Sequence, residues 1–418
     1  MEYKKLRQLA SISISNVDKK SNDNEKKVRL CNFVDVYRNW AITSNMESTF
    51  MEATAKKAEI EKFSLHKGDV CITKDSETKD DIGMPTYIAD EIDDLVLGYH
   101  CALISPNKKV LDGKYLNAFL QTDFVRRFYE LNASGSGQRY TLSLDAIGDI
   151  PIPVIPIEEQ RKLGRFLSML DRKIENNNRI NDNLVLYASM IYDYWFTQFD
   201  FPDSKGKPYK SSGGKMTFSP ILNKDIPDGW SVVPLGNIAK MCTESITPQA
   251  GNIYKHYSIP AFDDSKLPKI EDGAEIESSK YLVPSNAILV SKLNPQFKRI
   301  WFVTAADDKS ICSTEFLPFC NDGVPIEYLY GVLNSTAYHK YMIQCSSSST
   351  GSRKRMPPEL CLTYNVVLPP ASILEVYSKR IMSAIKQMSN LLYENASLKT
   401  TRNHLLPILM SGQATISD

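Results

Sequence analysis

The sequence predicts a mixed α/β (α+β) protein of two tandem, pseudo-symmetric domains, each followed by a long helix, with the two helices paired as an antiparallel coiled coil. Three observations predict it. Short motifs recur at an offset of about 214 residues, roughly half the chain. Each copy then runs in the same order, from short β-prone stretches through a Ser/Gly loop and a proline-marked stretch into a long apolar periodicity. That periodicity is 3.5 residues in both copies, the heptad spacing of a coiled coil.

The echoes are short but ordered. Val70-Cys71-Ile72-Thr73-Lys74 is answered by Ile288-Leu289-Val290-Ser291-Lys292, and Ser136-Gly137-Gln138-Arg139 by Thr350-Gly351-Ser352-Arg353. Asn176, Asn181 and Leu184 are matched at Asn390, Asn395 and Leu398. A period this long means two copies of a domain rather than a solenoid. Within each copy the runs Val70–Thr73, Leu95–Leu97, Ile288–Val290 and Ile300–Val303 read as strands. Ser/Gly loops follow, over 132–137 and 346–352. Next come Ile150-Pro151-Ile152-Pro153-Val154-Ile155-Pro156 and Val366-Val367-Leu368-Pro369-Pro370, whose prolines forbid helix and favour extended backbone. Pro202 to Gly214, with little that is apolar, reads as a polar linker.

The long helices carry the clearest periodicity. Leu163, Leu167, Leu170, Ile174, Asn177, Asn181, Leu184, Ala188, Ile191 and Trp195 alternate spacings of four and three. In the second copy the seam is Tyr377, Ile381, Ala384, Met388, Leu391, Asn395, Leu398, Arg402, Leu405 and Leu409, with Arg402 the charged exception. The ~40 residues from Ile157 to Phe196 would make a rod of roughly 60 Å. Asn at seam positions costs stability and can fix register; at the edge of the seam the same residues would simply meet water.

Bulk composition excludes several classes. Formal net charge is +1 and hydrophobic residues make up 42% of the 418 residues, as in a globular protein of more than one domain. So small a charge argues mildly against a nucleic-acid partner, although a local basic surface can supply the attraction. The eight cysteines show no C-x-x-C spacing and no nearby His at zinc-ligand spacing, so reduced thiols and no structural metal are expected. Met1 to Leu6 leads into polar Gln8 and a Ser-rich run rather than an apolar leader, and no apolar stretch approaches the ~20 residues of a membrane span. A cytoplasmic protein is expected.

No catalytic motif emerges. Gly213-Gly214-Lys215 is followed by Met216, so it is not a phosphate loop. Gly135 and Gly137 match only a fragment of a dinucleotide fingerprint. Pro357-Pro358 lacks the flanking residues of an amino-methyltransferase motif. Asp203-Ser204-Lys205 lacks a second acid for a nuclease metal site, and the five histidines stand isolated along the chain.

At this point the chain resembles a known family, the specificity subunits of type I restriction-modification enzymes. The resemblance rests on the tandem halves, on Ile152-Pro153-Val154-Ile155-Pro156-Ile157-Glu158-Glu159-Gln160 leading into a long helix, and on Leu289-Val290-Ser291-Lys292-Leu293-Asn294-Pro295. Pro227-Asp228-Gly229-Trp230, Pro234-Leu235-Gly236 and the ending His404-Leu405-Leu406-Pro407-Ile408-Leu409-Met410-Ser411-Gly412 belong to it too. The first half lacks the Pro-x-Gly-Trp element, and the second has Ser372-Ile373-Leu374 where the first has Glu158-Glu159-Gln160. The resemblance implies a target recognition domain over 1–156, a central helical region over 157–200, a linker over 201–224, a second recognition domain over 225–370 and a C-terminal helical region over 371–418.

It also implies a non-catalytic subunit that reads a bipartite site in double-stranded DNA and docks two methyltransferase subunits and restriction/translocase subunits. No cofactor is expected in this chain; the methyltransferase subunits would use S-adenosylmethionine. The expected DNA contacts are Ser136, Gln138, Arg139 and Tyr140 in the first copy and Thr350, Ser352, Arg353, Lys354 and Arg355 in the second. Lys74, Lys292 and Asn294, each just past a short strand, are added. Small residues let a backbone approach phosphates, and Gln and Arg suit adenine and guanine edges. A solvated connecting loop would carry the same residues. Two other functions remain open, a tandem scaffold that spaces two protein partners without reading DNA, and a nuclease or methyltransferase acting alone.

Overall fold

The structure, a computed structural model, describes residues 2–136, 139–347 and 353–410. It divides into two compact units, one formed by Met1–Glu175 with Ser397–Asp418 and the other by Asn176–Ala396.

In the first unit the central sheet runs in the order Ala10–Ile14, Cys101–Pro106, Val70–Thr73, Pro85–Ile88 and Ala41–Ile42. Its middle strand Val70–Thr73 is buried along its whole length, which is why it reads as continuous apolar sequence rather than an alternating pattern. Ile104 pairs with Val70 and Ala102 with Ile72. A second sheet, Met51–Ala55, Lys26–Cys31 and Leu95–Leu97, has its own core, including Leu30, Cys31, Val96 and Cys71. Two helices follow the central sheet, Gly113–Leu120 and Asp123–Asn132. The first is capped by Asp112, which accepts from Lys114 N and Tyr115 N, and the second by Thr122, which accepts from Val125 N.

The second unit repeats this plan. Ala239–Met241, Phe316–Asn321, Ile288–Ser291 and Ile300–Phe302 form its central sheet, again followed by two helices, Ile326–Asn334 and Thr336–Cys345. The two units also close in the same way. Glu2–Lys5 pairs with Pro151–Val154 in the first and Ser231–Pro234 with Asn365–Leu368 in the second, so the proline-marked stretches are strands. A buried tyrosine ties each closure to the first helix of its pair. Tyr115 Oη donates to the Pro153 carbonyl at 2.9 Å, and Tyr328 Oη donates to the Val367 carbonyl.

The long helices span Ile157–Tyr192, continued by a π-turn over Asp193–Thr197, and Ala371–Met410. Gln160 anchors the first. Its amide donates to the carbonyls of Val110 (2.9 Å) and Ile155 (2.8 Å) and accepts from Asp112 N (3.0 Å). Gly164 lets the helix pass close by, since a Cβ there would lie 2.9 Å from Tyr115 N.

The seam is antiparallel within each unit. In the first unit Leu163 and Leu167 share a core with Leu406 and Leu409, and the charged exception Arg402 meets Asp171 at 2.5 Å. In the second, Asn177 faces Asn395 while Asn181 faces Met388. These asparagines are buried rather than at a wet edge. Asn177 Nδ2 donates to Asn395 Oδ1 (2.9 Å) and Glu394 Oε2 (2.8 Å), and Asn395 Nδ2 donates to Asn178 Oδ1 (2.8 Å).

The stretch over 201–224 differs from the expected linker. Phe201 is buried and stacks on Trp230 (4.8 Å) and on Tyr209 (4.7 Å), and Asp200 accepts from Ser211 N at 2.7 Å. Met216–Ser219 pairs with Lys224–Pro227 as a hairpin. A few aromatic anchors outweigh the polar composition that suggested a tether. Among the described residues, no helix is long and apolar enough to cross a membrane.

Candidate nucleic-acid interface

In each unit three separated segments meet at the end of the central strand. In the first unit Lys74, just past Val70–Thr73, donates its N–H to the His100 carbonyl (2.8 Å) and accepts from Leu142 N (2.9 Å). In the second, Lys292 donates to the Glu315 carbonyl (2.9 Å) and accepts from Met356 N (3.0 Å). The same two backbone bonds thus define equivalent positions. Lys74 corresponds to Lys292, His100 to Glu315, and Arg139, Tyr140 and Thr141 to Arg353, Lys354 and Arg355.

The Ser/Gly loop of the first unit is not a free connector. Ser134–Ser136 pairs with Arg139–Thr141, which pairs in turn with Asp75–Ser76. Gly135 is required there, because its φ is +139° and a Cβ would lie 2.2 Å from the Arg139 carbonyl. In the second unit Ser347 and Leu293 each bridge to Arg355.

The first junction is an open depression of about 490 Å³ lined by Lys74, Asp75, Tyr99, His100, Arg139 and Thr141 among others. Asp75 sits at its centre. Lys74 Nζ lies 2.9 Å from Asp75 Oδ1 and 3.0 Å from Thr141 Oγ1, and His100 Nδ1 hydrogen-bonds Asp75 Oδ2. Arg139 Nη2 lies 2.9 and 3.1 Å from the two ring nitrogens of His100 and 3.8 Å from Asp75 Oδ2. Burial opposes ionisation of Asp75, but hydrogen bonds from Thr141, Lys74 and His100 and the Lys74 charge outweigh it and hold the carboxyl below its usual range. The carboxylate therefore stays charged and orients its cations. His100 has a left-handed backbone (φ 70°), uncommon for a residue other than glycine. The Lys79 ammonium lies 5.3 Å from the Tyr140 ring centre.

At the second junction the charges are redistributed. Arg355 makes a two-pronged contact with Glu315, Nε at 3.1 Å and Nη2 at 2.7 Å. Asn294, also left-handed (φ 48°), donates its N–H to the Lys354 carbonyl at 2.7 Å and accepts from Lys354 N at 3.0 Å through Oδ1. Arg353 and Lys354 are exposed and make no ion pair among the described residues.

The candidates named from sequence therefore gather at two places. Lys74, Arg139 and Tyr140 meet at the first junction, and Lys292, Asn294, Lys354 and Arg355 at the second, where Arg353 also lies. Arg355, expected to contact DNA, is already held by a carboxylate. Ser136 is described only by its backbone, within the hairpin. Gln138, Thr350 and Ser352 lie outside the described residues. Sequence reasoning missed Asp75, His100 and Glu315. Asp75 adjoins a named lysine, but His100 and Glu315 carried no local signal. Among the described residues, no group of three or more His, Cys, Asp or Glu side chains is arranged to hold a metal ion.

The chain thus carries a duplicated α/β unit with an equivalent junction in each copy, together with long seam-forming helices. Residues 1–185 match the model of the type I restriction modification DNA specificity domain. The chain is 24% identical over 320 residues to the type I restriction enzyme MjaIX specificity subunit of Methanocaldococcus jannaschii, covering 73% of this chain and 70% of that protein. It is 20% identical over 414 residues to the HindI specificity subunit of Haemophilus influenzae, covering 84% and 88%. The solved S subunit of a type I restriction-modification system from M. genitalium shares the fold, with a TM-score of 0.56 and 12% identity over 98% of this chain and 95% of that one. The chain is thus similar over most of its length to specificity subunits of type I restriction-modification enzymes, and its residues 1–185 match the DNA specificity domain of that family.

Proposed function

We propose that the chain reads a bipartite site in double-stranded DNA, one half with each junction, and docks two methyltransferase subunits and restriction/translocase subunits in the cytoplasm. One observation carries this reading. The same three-segment junction is built twice on one chain, each time with a lysine past the central strand and an exposed arginine on the returning segment. Such cations supply the phosphate attraction that a net charge of +1 does not provide on average. The base-reading groups stand beside them.

The long helices are the docking elements and the spacer of this reading. Met169, Leu186, Met190 and Val376 are exposed on them, outside the buried seam, as apolar contacts for partner subunits. Methyl transfer from S-adenosylmethionine belongs to those partners.

The test is a gel shift at stated salt with the methyltransferase partner present, paired with the methylome of the host with and without the gene. A split motif whose modification disappears with the gene is expected. Binding without sequence preference would instead leave the chain as a scaffold.

A further inference from the structure

We propose that the position held by His100 in the first unit and by Glu315 in the second is the specificity-determining position of each junction, His100 with Arg139 reading a guanine and Glu315 reading an exocyclic amino group. The inference rests on the DNA-reading function proposed above and adds which side chains decide the bases.

The internal repeat supplies the comparison. His100 and Glu315 occupy the same backbone position, each accepting from the lysine N–H that follows the central strand, at 2.8 and 2.9 Å. On that shared frame the charges are exchanged. In the first unit the acid is Asp75, beside the lysine, and the residue it orients is the imidazole of His100. In the second the acid is Glu315 itself, and its cation is Arg355, at the position of Thr141. A structural ion pair conserved through duplication would keep one arrangement. Here the backbone is kept and the chemistry inverted, as expected where two copies must recognise different things.

The consequences differ at the surface. Asp75 is nearly covered, with 12% of its side chain exposed, while Arg139 is 66% exposed. The first junction therefore shows solvent the Arg139 guanidinium braced against the accepting imidazole of His100, and the remaining guanidinium N–H groups suit guanine O6 and N7. At the second, Arg355 occupies part of the Glu315 carboxylate and fixes its direction. The Glu315 side chain remains a quarter exposed, and its carboxylate is an acceptor suited to the amino group of cytosine or adenine. Asp75 and Arg355 are positioning residues, acting through His100 and Glu315.

The experiment uses the full complex with its methyltransferase subunits and selects bound and methylated sites from a randomised DNA library. The chain is wild type or carries His100→Ala, Glu315→Gln or Glu315→Asp. His100→Ala should lower discrimination at one position of one half-site by about tenfold or more. Glu315→Gln should do the same in the other half-site, and Glu315→Asp should recover part of the preference. In each variant the untouched half-site reports folding and assembly. Unchanged motifs in variants that still methylate, or a uniform loss of affinity across all sequences, would overturn the inference. A wild-type complex with no sequence preference would instead overturn the underlying function.

Discussion

Replacing Arg402 by Met should destabilise the first unit strongly, and the loss should depend on pH in a defined direction. Arg402 Nη1 meets Asp171 Oδ1 at 2.5 Å inside the helix seam, with 19% and 8% of the two side chains exposed. Exposure this low separates the pair from surface ion pairs, which contribute about 0–1 kcal/mol. Removing only the cation strands a buried carboxylate, at a cost of about 3–5 kcal/mol. At roughly 2–4 °C per kcal/mol for a unit of this size, melting should fall by roughly 6–20 °C at pH 7.

Burial already raises the Asp171 carboxyl above its ordinary range, and Arg402 opposes the rise. A carboxyl with a raised folded pKa binds more protons folded than unfolded, so stability falls as pH rises through that window. Without Arg402 the window reaches further upward. The deficit of the variant should therefore be full above the new pKa and shrink as the pH falls through it. Melting of the full chain by circular dichroism between pH 5 and 8 measures this. The double variant Asp171→Leu/Arg402→Leu should recover the loss, since well-packed apolar replacements of buried pairs are often neutral or stabilising. A single-variant cost below about 1 kcal/mol, flat with pH, would refute the reasoning.

Other outcomes follow from the same structure. Asn177→Leu should cost about 1–3 kcal/mol in urea unfolding by leaving Asn395 unsatisfied, and Asn177→Leu with Asn395→Leu should recover much of it. Tyr115→Phe and Tyr328→Phe should each lower stability by about 1–3 kcal/mol, because each leaves a buried strand carbonyl without its donor. Gly135→Ala should open the hairpin, seen as faster amide exchange over Arg139–Thr141 with the central sheet unaffected. Arg353→Ala should reduce the salt slope of DNA binding by about one if the side chain meets phosphate, or cost about 1–3 kcal/mol at one base if it reads guanine. Unchanged binding at low and moderate salt would return that segment to a connecting role.

Much of the fold was legible because its signals are local. Val70–Ile72 and Ile288–Val290 are apolar throughout since they are buried, and the heptads survive since a seam needs an apolar residue every three or four positions. The stretch over 201–224 was misjudged because Phe201, Tyr209 and Trp230 stabilise it through contacts spread over many residues, which composition averages away. Arg402 looked like a flaw in the seam until its partner lay 231 residues away in sequence.

The sequence by itself determined the duplicated α/β architecture and the long helices. Both follow from residue types repeated at regular spacing along the chain. Only the tertiary structure decided which of those residues work together. It brought His100 against Asp75 and Arg139, held Arg355 on Glu315, and turned the seam asparagines inward as hydrogen-bonded pairs. Each of those outcomes depends on side chains meeting across tens to hundreds of residues, where electrostatics acts through space and linear spacing carries no trace of it.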